Sequence, residues 1–375
     1  MNHPLSHPRR GLALGMALCL PMVVLAMIGL SVVAQAQSPA GPYPQPAYGE
    51  AVPRDVREMY DRGLQYLIKS QNESGGWSGG QQGPGVTGLA LLAMLASGED
   101  PNFGFTSQPV HRALRSIIAA QNADTGYLGS SMYHHGFGML ALAEAYGAVD
   151  DRNLWQVRLG TGGAGAARNR AAGQRSIGQA LELAVRAALT SQKKNPLGAW
   201  RYSPASTDAD TSVSGAVLVG LLAARNAGIE VPDAAIDRAI AYYTSVTSTS
   251  GQVAYSGGMG GFNESIARIS IASLVYSVAR RKDLPQAKAT TRYLTERLES
   301  PPNSYPEYTR YYQSQALFQA DQEAWRKWNK RLLRQLKKTQ KKDGSFSSQF
   351  GAPLGTSMSL LALALNYRFL PIYER

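Results

Sequence analysis

Cysteine is all but missing from this chain of 375 residues: the single one, Cys19, lies in the N-terminal segment. Beyond that segment there is no disulfide, no cysteine nucleophile and no cysteine metal ligand to consider. Acid is scarce beside base, with 26 Asp and Glu against 38 Lys and Arg and a formal net charge of +12. Phe and Trp are few as well, 8 and 5 against 19 Tyr, so tyrosine supplies most of the aromatic surface.

What is present begins with a targeting pattern. Arg9 and Arg10 precede an apolar run from Gly11 to about Val33, and Ala34-Gln35-Ala36 fits a small-x-small cleavage site. Residues 1–36 are therefore expected to be an export signal, with an uncleaved anchor as the alternative. Cleavage would remove two arginines and no acid, leaving a net charge of +10. Export without disulfides suits a bacterial periplasm or cell envelope, with a large core supplying the stability. Residues 37–53, rich in Pro, Ala, Gly and Ser, read as a flexible lead-in.

From residue 54 onward a pattern recurs: a polar helix-length segment, a glycine-and-aromatic turn, then a small, apolar helix-length segment. The sharpest copy is Arg62-Gly63-x-x-Tyr66-Leu67-x-x-x-Gln71-x-x-x-Gly75-x-Trp77. Arg112 leads to Gln121, Gly126 and Tyr127; Gln192, Gly198 and Trp200 carry a longer turn. Arg238 leads to Gly251 and Tyr255 without a glutamine, and Arg331 leads to Gln340, Gly344 and Phe346. The stretch Leu284 to Pro306 sits where another copy belongs but has lost the turn residues. Such periods imply stacked helical hairpins, none able to bury its own apolar face alone.

The spacing predicts outer helices over 54–70, 108–121, 174–192, 233–246, 284–298 and 323–340. Inner helices are predicted over 85–96, 134–146, 210–227, 263–279, 308–320 and 356–367. A segment such as Gly88-Leu89-Ala90-Leu91-Leu92-Ala93-Met94-Leu95 is apolar all round, which means burial on every side. Six such hairpins would close into a two-layer ring; an open solenoid is the alternative. The Gly- and Arg-rich stretch 150–174 reads as an insertion loop.

The glutamine, glycine and tryptophan turns resemble the repeats of squalene–hopene and oxidosqualene cyclases, and six hairpins in one ring resemble the β subunit of protein prenyltransferases. The resemblance implies an all-α fold, an (α/α)6 toroid spanning residues 54–375. It also implies that Gln71, Gly75, Trp77, Gln121, Gln192, Trp200, Gln340 and Gly344 are structural, with glutamine capping helix ends and tryptophan stacking between neighbours. Trp200-Arg201-Tyr202-Ser203-Pro204 followed by Asp208-Ala209-Asp210-Thr211 is similar to the cyclase acid motif Asp-x-Asp-Asp-Thr. On that match the proton donor's role falls on Asp210, with Asp208 as its partner; Thr211 replaces the third aspartate. A prenyltransferase-type zinc site needs a cysteine that is missing here. No metal and no cofactor are expected.

The residues support a site at the same place. Parallel inner helices would gather their unpaired amides and partial positive charge at one rim. Candidate ligand-binding residues at those starts are Tyr133, His134, His135, Thr211, Asn263, Glu264, Arg268, Tyr308, Tyr311 and Tyr312, with Thr87, Arg310 and Thr356 beside them. Asp208 and Asp210, two apart in an extended lead-in, would project to one side, and mutual repulsion plus burial would raise one pKa. Helix capping is the plainer reading of Asp210 and Thr211, and a structural role that of the two histidines. Glu144, deep in an apolar helix, needs a partner, for which Arg268 is the guess. Few Phe and Trp in the inner helices suit a wetter pocket than a carbocation-steering chamber.

Near the C-terminus, Trp325, Trp328, Leu332 and Leu336 form one apolar stripe on a helix whose other faces carry nine lysines and arginines between Arg326 and Lys342. The stripe packs on the core of an outer helix or, with the basic face, touches anionic lipid over 325–342. No reading motif accompanies the charge, so nucleic acid is not an expected partner. Three functions stand open: an enzyme-like isoprenoid or lipid pocket, a non-catalytic binding module, and a structural envelope protein.

Overall fold

A computed structural model describes residues 52–155, 174–257, 261–262, 264–300, 305–367 and 370–373. The expected signal, nearly all of the lead-in, most of the insertion loop and Asn263 lie outside these residues. Among the described residues there are twelve α-helices, one short 3-10 turn and no strand beyond isolated bridges.

The outer helices are α1 (Arg54–Ser70), α3 (Gly104–Ala119), α5 (Ile177–Lys194), α7 (Asp233–Ser245), α9 (Pro285–Thr295) and α11 (Gln322–Thr339). The inner helices are α2 (Pro84–Leu95), α4 (Met132–Ala145), α6 (Thr211–Asn226), α8 (Ile266–Val278), α10 (Pro306–Ala320) and α12 (Ala352–Ala364). Each outer helix is amphipathic and buries one stripe; in α11 that stripe is Trp325, Trp328, Leu332 and Leu336. Trp325 stands edge-on to Phe318 of α10, 5.1 Å between ring centres, so the tryptophans belong to the core and the lysines face outward. Every residue of α2 is buried, and α4, α6, α8 and α12 are likewise buried on nearly all sides; α10 is buried too but carries Glu307, Arg310, Gln313, Gln315 and Gln319.

Element ends follow local chemistry. Ser176 and Gln179 form a reciprocal capping box at α5, and Ser131, Asp210, Ser265 and Asp321 each accept an amide at the starts of α4, α6, α8 and α11. α3 begins four residues before its predicted start and takes Pro109 into its second turn. The bond that Pro109 cannot donate leaves the carbonyl of Phe105 at a surface position, where water can satisfy it. α9 is shorter than predicted, as expected where the repeat has decayed.

The ring is closed. α2 packs on α4 and α12, α6 on α4 and α8, and α10 on α8 and α12. α1 packs on α12, joining the two ends of the chain order. At the far end, residues 371–373 pack on α6, and the Gln319 amide donates to the Ile372 carbonyl (3.3 Å).

The hairpins are riveted by the recurrent turn. Gln71 Nε2 donates to Gly75 O within its own turn and to Pro109 O on the next outer helix, both at 3.0 Å. Arg112 Nε, one turn further along that helix, returns a bond of 2.9 Å to Gln71 Oε1. Gln192 does the same with Gly198, Ala235 and Arg238, and Gln340 with Gly344, Met59 and Arg62. At Gln121 the equivalent position is Leu183, and Arg175 reaches over weakly at 3.5 Å. The motif arginine thus serves the preceding repeat's glutamine. The turn glycine is required by contact as well as by φ: a Cβ on Gly75 (φ +84°) would stand 2.1 Å from the Arg112 carbonyl oxygen. Trp77 and Trp200 donate back to their own outer helices, at Leu67 O and Ala188 O, both 2.9 Å.

Candidate functional site

The inner helices begin at one rim, and the starts of α4, α6 and α12 are stitched to the next hairpin's turn. Met132 N donates to Tyr202 O (2.8 Å), Thr211 N to Tyr255 O (3.0 Å) and Gln81 N to Phe350 O (2.8 Å). At this rim the structure brings together Asp210 and four of the predicted tyrosines. Tyr133 and Tyr308, from the opposite helices α4 and α10, share a hydrogen bond of 2.6 Å across the axis. Tyr312 stands edge-on to both Tyr308 (4.9 Å) and Tyr311 (4.8 Å), and Tyr311 meets Phe137 of α4 at 6.1 Å.

Asp210 caps α6. Its backbone is extended, and Oδ1 accepts from the Val213 amide at 2.8 Å. The side chain is fully buried; Oδ2 has no hydrogen bond of ordinary geometry among the described residues, although the Ser212 amide and the Tyr255 hydroxyl lie close enough to favour the charged carboxylate. Burial pushes its pKa up to about 6; the Val213 amide and the Arg201 guanidinium oppose this without winning. Its charge is felt by Tyr133, Tyr308 and Tyr243, whose own burial holds their hydroxyls well above the usual range.

Asp208 behaves differently. It is exposed and ion-paired with Arg201, whose charge also favours the Asp210 carboxylate. The expected mutual repulsion is therefore not what raises Asp210; desolvation is. Asn195 Nδ2 clamps the lead-in by donating to the carbonyls of Ser206 (3.0 Å) and Asp208 (2.9 Å).

Other predicted residues hold the wall. His135 is fully buried, with Nδ1 accepting from the Leu128 amide and Nε2 facing the Ala184 carbonyl, each at 3.0 Å. Those partners fix Nε2–H as the tautomer, and burial lowers the pKa to about 4, so the ring is a neutral clasp between turn and α5. His134 Nδ1 accepts from the Gly85 amide at 3.2 Å, turned to α2. Thr211 donates to Ala254 O (2.7 Å), and Thr356 accepts from the Phe346 amide (2.9 Å). Glu264 is exposed and accepts from the Tyr293 hydroxyl at 3.0 Å. Arg268 donates to the Val253 carbonyl at 3.0 Å, while the Glu144 charge bears on Tyr311.

Sequence reasoning passed over Arg201, Tyr243 and Tyr242. Tyr243 donates to Thr211 O (2.6 Å) and Tyr242 to Ala209 O (3.1 Å), supporting the acid from behind. The adjacent tyrosines on the inward face of an outer helix were the available signal; the pairing of Arg201 with Asp208 across the turn was another.

No family model and no curated protein matches this sequence. Solved structures do. A glycoside hydrolase family 76 mannosidase from Bacteroides thetaiotaomicron aligns at TM-score 0.60 and 10% identity, covering 83% of this chain and 98% of that one. The fold is an α/α toroid. An unsaturated glucuronyl hydrolase specific for heparin aligns at TM-score 0.59 and 10% identity over 84% of this chain and 96% of that one. A type II terpene cyclase from Scytonema, in complex with its substrate geranylgeranyl dihydroxybenzoate, aligns at 0.55 and 14% identity, covering 84% and 98%. At such identities the toroid shares its scaffold with these proteins, whose chemistries differ from one another.

Proposed function

We propose that this chain is an exported toroid that holds an isoprenoid or similar lipid at the inner-helix rim, with Asp210 as the group able to act as an acid. The observation that carries this reading is the buried Asp210 carboxyl, one oxygen of which lacks a hydrogen bond of ordinary geometry, beside a tyrosine cluster. A carboxyl whose pKa desolvation raises to about 6 holds its proton in mildly acidic surroundings and keeps a protonated fraction near neutrality, as donating a proton to an alkene, or a hydrogen bond to a polar head, requires. Tyrosine faces nearby would favour a developing cation, less strongly than tryptophan. Arg201 at the surface edge would draw an anionic head group toward the acid. The Scytonema cyclase, named for an isoprenoid substrate, supports the class of ligand by scaffold analogy. In this reading a ligand entering the rim beside Asp210 would part the Tyr133–Tyr308 bond. In the same reading, the outward basic face of α11 rests on anionic lipid in the cell envelope.

The test is native mass spectrometry of the protein from its own host and after incubation with a geranylgeranyl lipid. A bound lipid whose retention or conversion is lost in Asp210→Asn supports the reading. Empty protein in both preparations sinks it.

A structural role is the second reading, favoured by the aromatic contacts that cross the axis between α4 and α10. Tyr133→Ala separates the two: gain of lipid uptake favours a plugged site, and loss of stability without uptake favours a filled centre.

A further inference from the structure

The fifth hairpin, α9 with α10, lacks the glutamine–glycine–aromatic turn, and the seat that such a turn occupies elsewhere is recognisable on α11. In the intact joints the seat is an arginine and the residue three before it, as in Arg62 with Met59 or Arg238 with Ala235. On α11 those positions are Arg331 and Trp328. With no glutamine to hold, Arg331 Nη1 donates instead to the Leu298 carbonyl (2.9 Å) and pairs with Glu299 (3.0 Å).

A cavity of about 320 Å3 lies at that seat, lined among the described residues by one stripe of α10, one of α11 and Ser300. Its apolar wall includes Trp328 and Leu332, and its polar wall includes Arg310, Gln313, Arg331 and Lys338. No acid is among the described residues lining it. Gln313 is 4% exposed, and its Nε2 has no hydrogen-bond partner among the described residues; nor has Arg310 Nε. Burial pulls the Arg310 pKa down, opposed by Glu307, whose Oε1 is occupied by the Ser348 hydroxyl at 2.5 Å. Donors left buried without an acceptor are costly, and a guanidinium beside an amide is the usual cradle for an oxyanion.

We propose that this cavity is a binding site for a small phosphate monoester with a short apolar body, its oxygens taken by Arg310 and Gln313 and its body laid on Trp328 and Leu332. The site is separate from the Asp210 rim and does not depend on the function proposed there. The volume falls at the small end of ligand pockets. Lys338, exposed on α11, adds attraction that salt would weaken, whereas Arg331 is already paired with Glu299.

Calorimetric titration with hexyl phosphate tests this, with inorganic phosphate and vesicles containing phosphatidic acid as further arms. Hexyl phosphate is expected to bind saturably and more tightly than inorganic phosphate. Arg310→Met and Gln313→Leu should each weaken it by about tenfold while circular dichroism stays unchanged, and Asp210→Asn should bind as the parent does. Binding of hexyl phosphate alone assigns a free metabolite-like ligand; capture of the vesicles as well assigns a lipid head group. Lack of saturation up to about 10 mM, or equal affinity in the parent and both folded variants, would overturn the proposal. Should Arg310→Met fail to fold, Gln313→Leu and Lys338→Ala carry the same comparison, the second with a smaller loss.

Discussion

The outer joints and the inner rim of this ring are built on opposite rules. At the joints nearly every polar atom is answered: Gln192 is fully buried and has both amide hydrogens and its oxygen engaged, bridging two hairpins and an arginine. At the rim and just behind it, Asp210 Oδ2 and the Tyr312 hydroxyl are buried without hydrogen bonds of ordinary geometry among the described residues. A satisfied network rigidifies; an unsatisfied one costs stability and persists where something else benefits. The comparison teaches that stability in this fold is concentrated in the wall, while the rim carries the cost that a site would explain.

That contrast breaks or sharpens by substitutions whose signs should differ. The largest effect belongs to the joints. Gly75→Ala places a methyl group 2.1 Å from a carbonyl oxygen at φ +84°; urea denaturation should show a loss of about 3–4 kcal/mol. The control Gly228→Ala, with φ +90° but open space around it, should lose only about 1 kcal/mol. Gln192→Ala removes three hydrogen bonds at a fully buried position, those to the Gly198 and Ala235 carbonyls and from Arg238, for a loss of about 3 kcal/mol in the same measurement.

At the rim the sign reverses. Asp210 has a folded pKa of about 6 against an ordinary 3.8. The folded state therefore holds its proton more tightly than the unfolded chain, and this group's contribution to stability falls as pH rises from about 4 to about 6. Asp210→Asn keeps a capping oxygen and carries no charge. It should stabilise the protein by about 2 kcal/mol at pH 7, with the gain gone at pH 4, as followed by urea denaturation across that range. Destabilisation at pH 7 would mean that the rim obeys the same rule as the joints. The smallest effect is expected from Asp208→Ala, which removes an exposed ion pair with Arg201 and should change stability by less than about 1 kcal/mol.

Much of the wall was legible in the chain. The span of α1 matches its predicted bounds, and the recurrent Gln, Gly and Trp positions all fall in joints. These features are local: helix periodicity, a glycine that needs positive φ, and a fixed run from glutamine to turn. The partner of each glutamine was not legible, because Arg112 lies a whole hairpin away from Gln71 and nothing local pairs them. The rim was legible only as a set of candidates. Tyr133, Tyr308, Tyr311 and Tyr312 do gather, yet His135 sits among them in sequence and is spent on Leu128 and Ala184. Adjacent residues on a helix point about 100° apart, so one step decides between axis and wall.

The sequence by itself determined that amphipathic helices would alternate with helices buried on most sides, and where most of their glycine turns would fall, because both depend on neighbours within a few residues. Only the tertiary structure decided that α12 meets α2, that Asp210 is dry while Asp208 is wet, and that a cavity stands where the fifth joint is missing. Those outcomes depend on which distant surfaces exclude water from a given atom, and desolvation is a property of the assembled ring rather than of any segment.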